Sequence, residues 1–62
     1  MNKEDFRKLI NEEIESLNDS INYSIKKEEN TVKEFDYITC LISRRIGLEH
    51  LLYIIDNTKE EE

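Results

Sequence analysis

KEENTVKEF, residues 27–35, interrupts two long amphipathic runs with a set of helix stop and start signals. Thr31-Val32-Lys33-Glu34 has the spacing of a capping box, with Thr31 as N-cap and Glu34 reaching back from the third helical position. Asn30 tolerates a left-handed backbone, and Glu28 to Asn30 supply the polar residues of a tight connection. The expected order is one helical-hairpin domain over residues 1–62: a helix over about 3–28, a turn over about 28–31, a helix over about 32–56, and a frayed acidic tail over 57–62. A turn this short forces the two helices antiparallel.

Upstream of the turn, Phe6, Ile10, Ile14, Leu17, Ile21 and Ile25 recur every three or four residues, which places them on one helical stripe. Asn2 is positioned to cap that helix, with Asp5 three residues on. Downstream, Phe35, Ile38, Ile42, Ile46 and Tyr53 share one arc when each residue advances by about 100°. An antiparallel hairpin pairs positions whose numbers sum to about 60. The two stripes obey that relation: Ile25 with Phe35, Ile21 with Ile38 or Thr39, Leu17 with Ile42, Ile14 with Ile46, Phe6 with Tyr53.

The second helix has apolar residues to spare. Tyr37, Leu41, Leu48, Leu51, Leu52 and Ile55 fall on a further arc, with Arg44 at its centre, and no other segment is left to cover them. Large side chains left bare cost about 1.5–3 kcal/mol each, so this arc is expected to meet another chain. The predicted partner or dimer interface is therefore Tyr37, Leu41, Arg44, Leu48, Leu51, Leu52 and Ile55. Arg45 lies among the leucines and needs a carboxylate. Glu49 one turn on and Glu13 across the hairpin are the expected members of a structural ion pair with it.

The totals agree with a chain that needs company. At 62 residues a single core is marginal, and small scaffolds add disulfides, a metal or oligomerisation. One cysteine, Cys40, excludes an internal disulfide. The net charge of −6 disfavours nonspecific nucleic-acid binding, which rests on neutralising phosphates, and disfavours an anionic membrane surface. No basic segment followed by an apolar run opens the chain, so no signal peptide is expected, and Arg44, Arg45, Glu49 and His50 interrupt the most apolar segment before it could span a bilayer. A cytoplasmic location follows as the expectation. Ile, Lys, Asn and Glu make up about half of the residues and alanine is absent, a bias that suits a low-GC bacterium or one of its phages.

No catalytic or metal constellation emerges from the spacing. His50 shares a polar strip with Thr39, Ser43 and Gly47, but Asp36 lies about 10 Å along the axis from Ser43 and cannot orient the imidazole as well. The Glu-x-x-His pair of di-iron bundles is missing, because Gly47 stands three residues before His50. Glu12, Glu15 and Asp19 point away from the apolar stripe, as solvated acids do. Cys40 is expected as a small packed side chain, and Gly47 either tolerates a minor flaw or admits another backbone closely.

In length and plan the chain is similar to the Rop family of helical hairpins, which implies a homodimeric RNA-binding bundle. The basic and aromatic RNA-contacting face of that family has no counterpart on this acidic first helix. Lys33-Glu34-Phe35-Asp36-Tyr37-Ile38 resembles the Ser-Gln-Glu-Leu-Asp signature of small sporulation phosphatases, with Val32 where the serine belongs. That likeness implies a small response-regulator phosphatase acting through Asp36. The leading expectation is neither. It is an all-α antiparallel two-helix hairpin that dimerises into a four-helix bundle, a non-enzymatic regulator or inhibitor that needs no cofactor and occupies a surface of a larger protein through its second helix.

Overall fold

The computed structural model describes residues 2–27 and 31–58, and it is an all-α hairpin of α1 (Lys3–Ile25) and α2 (Val32–Asn57). The connection expected at Glu28–Asn30 and the tail beyond Thr58 lie outside the described residues. Both helices start at the caps their sequences supply. The Asp5 amide donates to Asn2 Oδ1 at 2.8 Å, and the Glu34 amide to Thr31 Oγ1 at 3.2 Å. In the second box Glu34 takes a long bond from the Thr31 hydroxyl, 3.4 Å, instead of reaching the Thr31 amide. α1 ends at Ile25, three residues before the sequence-based bound, and the N–H of its cap Lys26 donates to the Asn22 carbonyl. Side chains reinforce the last turn of α2: Asn57 Nδ2 donates to the Tyr53 carbonyl at 2.8 Å and the Thr58 hydroxyl to that of Ile54 at 2.6 Å.

The seam between the helices alternates steps of four and three without a break. On α1 it runs Lys3, Arg7, Ile10, Ile14, Leu17, Ile21, Ser24, and on α2 Glu34, Ile38, Leu41, Arg45, Leu48, Leu52, Ile55, all buried or half-buried. This is the period of an antiparallel coiled coil, in which a mean step of 3.5 residues keeps one line of side chains facing the partner. Ile10, Leu17, Ile21, Ile38 and Leu41 are the buried apolar residues, and Leu17, Ile21 and Leu41 form a cluster joined by Ile42 and Leu48. Cross-helix bonds fix the register. Lys3 donates to the Thr58 carbonyl at 3.2 Å, Arg7 pairs with Asp56, and Arg45 Nη1 donates to Asn18 Oδ1 at 2.7 Å. Each pair sums close to the expected value of about 60 for a short-turn hairpin.

The register is therefore the expected one, but α2 is turned by roughly a quarter revolution from the expected orientation. Leu41 is 5% exposed, and Leu48, Leu51, Leu52 and Ile55 are half-buried against α1, so this arc is largely covered within the hairpin. Phe35, Ile46 and Tyr53, expected in the core, are 57%, 57% and 66% exposed. Of that expected arc only Ile38 is buried, with Ile42 half-buried. On α1 the same correction puts Phe6 and Ile25 outside, while Arg7 and Ser24 take their places. The reason is geometric. A stripe drawn at 3.6 residues per turn drifts across a packed seam, whereas the four-three alternation holds the line through Leu41, Leu48 and Leu52.

The molecule is a thin rod, with principal extents of 53 × 15 × 14 Å. Two helices side by side cannot surround a side chain, and among the described residues no large one is fully enclosed.

Candidate functional site

With one line of α2 spent on the hairpin, the next line outward is Phe35, Thr39, Ile42, Ile46, Glu49 and Tyr53. It follows the same four-three alternation, one residue further round. Phe35, Ile46 and Tyr53 are exposed and Ile42 is half-buried at the edge of the core cluster. The stripe is continuous along α2 and extends about 27 Å at 1.5 Å per residue. Asn18 of α1 stands on this side, bonded to Arg45, and the exposure of Phe35, Ile46 and Tyr53 means that α1 does not shelter them. Thr39 spends its hydroxyl on the Phe35 carbonyl of its own helix, 2.9 Å away. Glu49 faces Arg45 Nε at 3.9 Å.

The structure distributes the sequence-predicted interface residues over three environments. Leu41 is in the core, and Leu48, Leu51, Leu52 and Ile55 line or flank the seam. Tyr37 is 57% exposed, on the flank of the hairpin opposite the stripe, where it lines an open cleft with Asp19, Ser20, Tyr23, Ser24 and Lys27. The Lys27 ammonium stands 5.9 Å from the centre of the Tyr23 ring in that cleft. Arg44 is also exposed on that flank and pairs with Glu13 at 3.5 Å. Glu13 was expected to neutralise Arg45. It does not, because Glu13 and Arg44 edge the seam on one side while Arg45 leans to the other, onto Asn18 and Glu49. The ion pair of Arg45 with Glu49 is present and loose.

Phe35, Ile42, Ile46 and Tyr53 were assigned to the core from sequence, so their role as an outward face was missed. One signal bears on it. The alternation through Ile38, Leu41, Arg45, Leu48, Leu52 and Ile55 carries one polar residue, Arg45, which faces Asn18 of α1, whereas the equally long alternation through Phe35 carries two, Thr39 and Glu49.

The residues weighed for chemistry are exposed and scattered. Asp36, Ser43 and His50 all face solvent, as do Glu12, Glu15 and Asp19. Cys40 is a free, exposed thiol instead of a packed side chain. Gly47 has nothing within 4 Å of where a Cβ would stand, so within the hairpin no close backbone approach accounts for it. Among the described residues no group of three or more His, Cys, Asp or Glu side chains is arranged to hold a metal ion. No described helix is long and apolar enough to cross a membrane. Comparison of the chain with protein-family models, with curated proteins and with solved structures gives no match.

Proposed function

We propose that this chain is a non-enzymatic protein-interaction module: a small regulator or inhibitor that occupies a surface of a larger protein through the outward stripe of α2. It self-associates through the same helix, as a dimer of hairpins with four helices, when no other protein holds that stripe. The observation that carries this is the run of Phe35, Ile42, Ile46 and Tyr53 along α2, three of them more than half exposed beside a hairpin already closed by a different line. Exposed apolar residues scattered singly are ordinary, but a line of them at helical spacing is the form in which a helix enters a groove or meets another helix.

Substitution separates this surface from the core. Ile46→Asp with Tyr53→Asp charges the exposed part of the stripe, while Glu12→Gln with Glu15→Gln alters the exposed acids of α1 as a control. Immobilised wild-type protein and both variants, each checked for helicity by circular dichroism, are compared for capture of protein from lysate. A species held by the wild type and the control, and lost with the stripe variant, is the expected outcome. Equal capture by a folded stripe variant would sink the proposal. Leu48→Asp and Leu52→Asp are unsuitable for this purpose, because those positions close the hairpin.

A further inference from the structure

The outward stripe of α2 is a palindrome in space. Its members Phe35, Thr39, Ile42, Ile46, Glu49 and Tyr53 step by four, three, four, three, four, a pattern that reads the same from either end. Its chemistry is nearly symmetric too: an aromatic ring at each end, a polar residue next, and two isoleucines in the middle. In an antiparallel pair of helices, facing positions share one midpoint. Phe35 with Tyr53, Thr39 with Glu49, and Ile42 with Ile46 all have the same midpoint, residue 44.

We propose that the occupant of this stripe is a second copy of the chain, laid antiparallel along α2 with the two-fold axis crossing the stripe between Ile42 and Ile46, level with residue 44. This rests on the assignment of the stripe as an interface and adds the identity and register of what covers it. A two-fold interface must be complementary to itself, so each contact occurs twice with the roles exchanged. Antiparallel alignment gives each isoleucine an isoleucine, each aromatic ring an aromatic ring, and each polar residue the other polar residue. Parallel alignment would set Glu49 against Glu49 of the second copy inside an apolar seam, and like charges so placed are destabilising. In the antiparallel register Glu49 faces Thr39 of the second copy and keeps Arg45 of its own helix as counter-charge, 3.9 Å away.

The slimness of the hairpin favours the same occupant. Among the described residues only five apolar side chains are buried and no large one is fully enclosed, and chains of this size commonly gain stability by association. A single seam about 27 Å long and one helix, about 10 Å, wide is smaller than the roughly 800 Å² per partner of a standard interface. The dimer is therefore expected to dissociate in the micromolar range, which leaves the stripe open to exchange.

Disulfide trapping tests the register. In a Cys40→Ser background, chains carrying Thr39→Cys and chains carrying Glu49→Cys are oxidised separately and as a mixture. The antiparallel register brings position 39 opposite position 49 of the second copy, within the roughly 7 Å between Cα atoms that a disulfide spans. It separates like positions by about 15 Å along the axis. The mixture is expected to give at least about tenfold more cross-linked dimer than either chain alone. Rapid linking of Thr39→Cys chains to each other, or no mixed product from a chain that sediments as a dimer, would overturn the register. A wild-type chain that stays monomeric by sedimentation at several times the micromolar range would overturn the dimer itself. If that monomer still loses a captured protein on Ile46→Asp with Tyr53→Asp, the stripe stands as a docking face for another protein and only the second copy is refuted.

Discussion

Arg45 is the residue on which the hairpin compromises. It occupies a seam position that the four-three alternation would fill with leucine, and its side chain is 31% exposed. A polar group in such a seam fixes register at a cost in stability. Arg45 does so through Asn18, a neutral acceptor at 2.7 Å, with Glu49 a weaker second contact at 3.9 Å. Exchange of a partly desolvated charge for a packed apolar group is commonly neutral or stabilising. Arg45→Leu is accordingly expected to raise stability by about 1 kcal/mol, read from the urea midpoint at fixed protein concentration. A lower midpoint would mean that the lost Asn18 bond outweighs the packing gained by leucine. The need of Arg45 for a partner was legible in the sequence. Which partner was not, because Glu13 is close in register and differs only in the side of the seam on which it stands.

At the scale of the element, the two helices were legible because caps and period are local. Asn2 and Thr31 accept the amides three residues on, as their sequence positions dictate. The rotation of α2 was not legible by the same means. This helix carries apolar side chains on most of its circumference, so a stripe at 3.6 residues per turn fits several orientations almost equally. Packing against α1 then chooses the line at 3.5. Gly47 tests whether that choice is understood. It sits inside α2 on the flank away from the proposed seam, without positive φ and with open space where a Cβ would go. Alanine there is expected to stabilise the helix by about 1 kcal/mol in thermal or urea unfolding and to leave self-association unchanged. Weaker dimerisation by Gly47→Ala would show that a second copy approaches the opposite flank, where Tyr37, Arg44 and Leu51 lie.

For the molecule as a whole, charge and apolar surface pull in opposite directions. Every copy brings a net charge of −6, so two copies repel at long range while the Phe35–Tyr53 stripe attracts at contact. Added salt shortens the range of repulsion, from about 14 Å near 0.05 M to about 4 Å near 0.5 M, and leaves apolar burial intact or strengthens it. Self-association measured by sedimentation equilibrium is therefore expected to tighten by a few-fold over that range. A bundle that bound nucleic acid would behave in the opposite sense toward its ligand, since phosphate contacts release counterions and weaken steeply as salt rises. In this hairpin the three arginines are engaged by the protein itself, Arg7 by Glu4 and Asp56, Arg44 by Glu13, and Arg45 by Asn18 and Glu49. Salt that loosened the dimer would therefore point to pairing between charges of the two copies, and the apolar stripe would lose its place as the source of association.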